Sequence, residues 1–179
     1  TVSGGTFLSS TSTQTLTGGL TVSGGTFTGS TGNVAAGSVT LSSGILNAPS
    51  GILTIAGGNF TYTGGMFNAD LGTVLYTGNN AAPTVSVGTG LVQFYNFQDA
   101  MTNVYPGGMS ITGTLTVTGT FTWKLGSGII LGNIEAQGDV DDQNHGGTGN
   151  PYFTLDGAGN QTIEDTTGGG GGCLRTLTI

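Results

Sequence analysis

Thr1-Val-Ser-Gly-Gly-Thr-Phe7 returns letter for letter as Thr21-Val-Ser-Gly-Gly-Thr-Phe27, twenty residues on. Degenerate copies follow: Val39-Thr-Leu-Ser-Ser-Gly-Ile45, Leu53-Thr-Ile-Ala-Gly-Gly-Asn-Phe60, Tyr62-Thr-Gly-Gly-Met-Phe67 and Leu115-Thr-Val-Thr-Gly-Thr-Phe121. A fixed period of about 20 to 50 residues marks solenoids, propellers and arrays, so the repeat rather than any single motif decides the fold. Each unit holds an alternating segment such as Leu20-Thr-Val22 or Thr114-Leu-Thr-Val-Thr118, in which apolar and Thr side chains fall on opposite faces of a strand. Gly-Gly, Ser-Gly or Thr-Gly closes each segment, and glycine permits the positive φ that a sharp corner needs. No 3.6-residue periodicity is sustained, so no helix is expected.

Antiparallel sandwiches also carry short strands with frequent turns and are the structural competitor. The period separates the two. A unit of about twenty residues with two or three short strands makes one coil of a parallel β-helix, with equivalent residues about 4.8 Å apart on successive coils. The expectation is therefore a single all-β domain over residues 1–179, a right-handed parallel β-solenoid of roughly nine coils and roughly 40 Å. Val22, Leu41, Ile55 and Val117 are expected to point inward, Phe7, Phe27, Phe60, Phe67 and Phe121 to form an aromatic stack, and Thr ladders to coat the outside. A longer likeness, Tyr76–Phe97 to Leu155–Ile179, adds a super-repeat of about 80 residues. Residues 135–152 depart from the pattern and are expected to loop out.

Composition agrees. Of 179 residues, 37 are Gly and only 6% are charged, against about a quarter in an ordinary soluble domain. Disordered chains are poor in β-branched and aromatic residues, whereas this one is 35% hydrophobic. Lys124 and Arg175 are the only basic residues and the net charge is -7, so no phosphate-binding patch is available and nucleic acid is excluded as a partner. No stretch is long and apolar enough to span a membrane. Cys173 is the only cysteine, so no disulfide forms within the chain. Scarcity of Lys, Glu and Arg suits an extracellular or cell-surface repeat protein. The chain begins with Thr1 rather than Met, which reads as processing or as part of something longer.

Units of the form TVSGGTF, LTIAGGNFTYTGGMFNADLGTVLYTG and GNQTI followed by LRTLTI resemble the Gly/Thr-rich repeats of large bacterial secreted and cell-surface proteins, the adhesin-like and autotransporter-passenger-like β-solenoids. That resemblance covers essentially the whole chain. It implies a fibre, stalk or adhesin, with no catalytic residues to carry over.

Chemistry has few places to reside. In Gly138-Asp-Val-Asp-Asp-Gln-Asn-His145, the side chains of Asp139, Asp141, Asp142 and Asn144 are candidate calcium ligands through oxygen. The spacing is not that of an EF-hand, and Asp and Asn are also ordinary turn residues, so a solvated loop is the plainer reading. Polysaccharide-degrading β-helices use clustered Asp with a His. Glycosidase carboxylates, however, stand about 5 to 9.5 Å apart across a groove, and in a β-helix they come from successive coils rather than one loop. His145 and Cys173 lack partners for a metal or nucleophile site. Gly168–Gly172 is not followed by Lys-Ser or Lys-Thr and so is no phosphate loop. Trp123 reads as a core or interface aromatic. The chain is thus expected not to be an enzyme.

Two functional classes remain. The first is an extracellular structural protein that forms or continues a fibre, filament or stalk, because both ends fall inside repeats and open strand edges pair with other strands. Its partner is then another copy or a longer chain. The second is a binding module, a cell-surface or carbohydrate adhesin with a glycan partner. An ice binder is a weaker form of it, since the Thr-x-Thr triplets at Thr15, Thr26, Thr61, Thr116, Thr120 and Thr176 are unevenly spaced.

Overall fold

The computed structural model describes residues 1–79, 82–88, 92–102, 108–124, 129–143, 151–166 and 176–179. Among these residues all regular structure is β. In chain order the strands are β1 (Thr6–Leu8) and β2 (Gln14–Leu16), then β3 (Leu20–Thr28) and β4 (Val34–Ala36), then β5 (Val39–Asn47) and β6 (Ile52–Ala56). The middle coils hold β7 (Phe60–Tyr62), β8 (Met66–Asn68) and β9 (Thr73–Thr77), followed by β10 (Thr84–Gly88), β11 (Gln93–Phe94) and β12 (Asn96–Asp99). The last coils hold β13 (Gly108–Val117), β14 (Phe121–Trp123), β15 (Ile129–Ala136), β16 (Val140–Asp142), β17 (Tyr152–Leu155), β18 (Ile163–Glu164) and β19 (Thr176–Thr178).

These strands form an 11-stranded sheet, which bends around a corner, and an 8-stranded sheet. Every strand pairing among the described residues is parallel, as expected when each coil lies over the previous one. The register can be followed up one inward column: Gln14, Val34, Leu53, Val74, Phe97, Phe121, Val140 and Ile163 lie one over another. The chain makes about 7 turns with coils of roughly 21 residues, rather than nine of twenty. Coils lengthen at the step from Val74 to Phe97 and again to Phe121. At about 4.8 Å per layer, seven steps give roughly 35 Å.

Glycine recurs at the bend because neighbouring coils touch there. Gly65 has φ 95°, and a Cβ on it would lie 2.7 Å from the Gly44 carbonyl oxygen of the coil above. Both the backbone conformation and the contact exclude a side chain. The Gly-Gly repeat of the sequence is thus a corner column.

The core is one continuous interior. Val22, Leu41, Ile55 and Val117 are fully buried, as the alternation requires. The aromatic side chains form two groups rather than one stack. Phe7 and Phe27 stack at 5.4 Å, but the next rung is Leu46, so the run stops there. A second group begins with Phe60 and Phe67 and passes through Phe94, Phe97 and Phe121 to Phe153, with centroids 5.2–5.9 Å apart. Outside, Thr21, Thr40, Thr61, Ser86 and Thr112 make a single-file hydroxyl ladder. Thr116, by contrast, is buried.

The first part of the segment expected to loop out is regular coil. Glu135 and Ala136 close β15, and Val140–Asp142 form β16, where Val140 pairs beneath Phe121. Its polar composition does not break the ladder because side chains alternate: Val140 and Asp142 are buried while Asp141 faces outward. Residues 144–150 of that segment lie outside the described residues. The likeness at a spacing near 80 residues is one of sequence: Tyr76 lies in β9 of the smaller sheet and Leu155 in β17 of the larger.

Candidate functional site

Of the four candidate calcium ligands, Asn144 lies outside the described residues, as do His145, Cys173 and Gly168–Gly172. Alternation along β16 sends Asp141 and Asp142 to opposite faces. Asp141 accepts hydrogen bonds from the Thr166 N–H at 3.2 Å and its hydroxyl at 2.9 Å, and from the Gln143 amide at 2.6 Å. Asp139 accepts the Thr162 N–H at 2.8 Å. Among the described residues no three His, Cys, Asp or Glu side chains gather as a metal ion requires.

Asp139 takes part instead in a recurring device. Immediately before an inward strand, a side-chain oxygen accepts the N–H of the equivalent residue one coil on: Asn33 from Ile52 at 2.9 Å, Asn96 from Thr120 at 2.8 Å, and Asp139 from Thr162 at 2.8 Å. An Asn or Asp just ahead of an apolar-Thr-apolar triplet is the sequence signal for this staple, and the repeat reading passed over it. Each such bond satisfies a corner amide that the ladder does not reach.

The 11-stranded sheet has one interruption. β8 pairs with β5 on one side and β11 pairs with β13 on the other, while β8 and β11 are not paired with each other among the described residues. The neighbouring faces continue through the same level, β7 to β10 and β9 to β12. The gap forms a cleft of about 490 Å³. Phe67 lines its floor and packs edge-on at 5.4 Å against the buried Phe94. Its walls carry Asn68 and Asp70 on one side and Gln93, Tyr95 and Thr118 on the other. Asn68 is held by donating to the Asn47 side-chain oxygen at 2.6 Å, which leaves its own oxygen for an incoming donor. Asp70 at the lip has φ 52° and is the only non-glycine residue with positive φ among the described residues.

A second polar feature is internal. Tyr76, Asp99 and Trp123 occupy one inward position on three successive coils and are fully buried. One Asp99 oxygen accepts the Met101 N–H at 3.1 Å. The other Asp99 oxygen, the Tyr76 hydroxyl and the Trp123 indole N–H find no hydrogen-bond partner among the described residues. Burial pushes the Asp99 carboxyl from 3.8 up to about 7, against the lowering effect of the Met101 N–H, and burial likewise holds the Tyr76 hydroxyl well above its ordinary 10.

Comparison with protein families, curated proteins and solved structures gives no match. The fold is a β-solenoid, and the likeness to bacterial surface repeats rests on the repeat units alone. No helix among the described residues is long and apolar enough to cross a membrane.

Proposed function

We propose that the chain is an extracellular structural protein, a non-catalytic β-solenoid that forms or continues a fibre or surface stalk by stacking strand edge on strand edge. The supporting observation is the parallel stacking itself, which repeats one translation from β2 to β18 through the smaller sheet without closing. The edge of β1 facing away from β3 has no partner among the described residues, and its three side chains are all exposed. Phe7 is 41% and Leu8 69% exposed there, beside an apolar hollow of about 140 Å³ lined by Val2, Phe7, Leu16, Leu20 and Phe27. Such an edge is a template for another strand. A further coil, from a longer chain or a second copy, continues the same translation without closing it, and a translation that does not close yields a filament. Low charge favours this, because like charges stacked in register repel.

Electron microscopy and fibre diffraction of the purified chain test the reading. Filaments with a layer spacing of about 4.8 Å along the axis are expected, and Leu8→Asp should abolish them while the melting of the monomer is kept. Sedimentation showing only monomers at every concentration overturns assembly by second copies, and protease digestion of material from the native source would then test continuation in a longer chain.

A further inference from the structure

Two local rules are broken at the same place. A solenoid gains a ladder of hydrogen bonds at every layer, yet at the level of β8 and β11 one face forgoes it while the other faces keep it. Glycine fills the other described positive-φ positions, yet Asp70 stands at the lip of that gap with φ 52°. Aspartate adopts this conformation more readily than most residues but less readily than glycine, and departures of this kind collect at binding sites.

The lining says what would bind. Asn68, Gln93 and Thr118 offer amide and hydroxyl groups, Asp70 a carboxylate acceptor, and Tyr95 an aromatic ring. A single carboxylate is too few for a divalent cation. With no basic residue among the described lining residues, phosphate, sulfate and uronate groups meet no counter-charge from them. What matches is a ligand with a rim of hydroxyls around an apolar face, and about 490 Å³ lies within the roughly 300–1,000 Å³ of small-ligand sites. We propose that the cleft between β8 and β11 is a neutral-saccharide site, in which Tyr95 meets the sugar's C–H face while Asn68, Asp70, Gln93 and Thr118 hydrogen-bond its hydroxyls. Asn68 is oriented in advance, since Asn47 holds its amide and in turn reaches the Thr28 hydroxyl at 3.4 Å. The phenylalanine floor keeps the cleft from opening into the core.

The test is a titration of the full chain, followed by amide chemical shifts, with cello-, xylo-, malto-, manno- and chito-oligosaccharides, and with oligogalacturonate as the charged control. Saturable shifts confined to residues around Asn68, Asp70, Gln93, Tyr95 and Thr118 are expected for at least one neutral series and none for oligogalacturonate. Asp70→Gly relieves the strained backbone, so it should melt no lower than the parent yet bind about tenfold more weakly. Tyr95→Ala should lose binding as well, and Tyr152→Ala, an exposed tyrosine on β17, should not. The proposal is overturned if no neutral oligosaccharide binds at millimolar concentrations, or if binding survives Asp70→Gly and Tyr95→Ala unchanged.

Discussion

Asp99→Asn should remove the part of the protein's pH dependence that this one buried carboxyl imposes. The Asp99 carboxyl is buried between Tyr76 and Trp123, and burial raises its pKa from 3.8 to about 7. In the unfolded chain the group ionises near pH 4; in the folded one it keeps its proton to about pH 7. The folded state therefore binds the proton more tightly, so the contribution is fully present below about pH 4 and is lost as pH rises through about 7. A difference of about 3 pH units corresponds to about 4 kcal/mol, falling at about 1.4 kcal/mol per unit between the two values. Asparagine keeps the oxygen that accepts the Met101 N–H and cannot ionise. The assay is urea denaturation of parent and variant from pH 4 to pH 8, followed by fluorescence of Trp123, the only tryptophan and the in-register neighbour of Asp99. The parent's stability relative to the variant should fall steadily over that range and level off above about pH 7. A parent-minus-variant difference that stays constant from pH 4 to pH 8 would refute a carboxyl titrating inside the solenoid.

Gly65→Ala should destabilise the fold by about 2 kcal/mol or more, read as a lower urea midpoint at unchanged slope, since alanine meets both the left-handed backbone and the Gly44 carbonyl. Asp139→Ala should cost about 0.5 to 1 kcal/mol, since the exposed Thr162 N–H turns to water when it loses its acceptor, whereas Asp139→Asn, which retains an acceptor oxygen, should lie close to the parent in thermal melts. Equal losses for the two Asp139 variants would contradict the staple.

The fold was legible because the alternation of Leu20-Thr-Val22 and its copies, closed by Gly-Gly, dictates both which side chains turn inward and where the chain bends. Residues 135–143 were misread for an instructive reason: Asp139, Asp141 and Asp142 look like one acidic group on a line of sequence, but strand alternation separates two of them and the corner engages the third. The cleft was invisible because Asn68 and Tyr95, far apart in sequence, come to line one cleft only through the stacking of coils, at a level where β8 and β11 stand unpaired. Tyr76, Asp99 and Trp123 were equally hidden, since coils of unequal length bring them into one column.

Local chemistry, then, is what the amino-acid order determined by itself: strand periodicity, glycine corners, a hydroxyl-rich low-charge surface and hence parallel stacking. Tertiary structure alone decided which residues became neighbours between coils. A coil gains two or three residues between its strands and the inward column still runs in register, from Val74 to Phe97 to Phe121, so the spacing of neighbours along the sequence varies from coil to coil. The buried carboxyl, the Asn and Asp staples and the cleft all depend on which residue of one coil lies over which residue of the next.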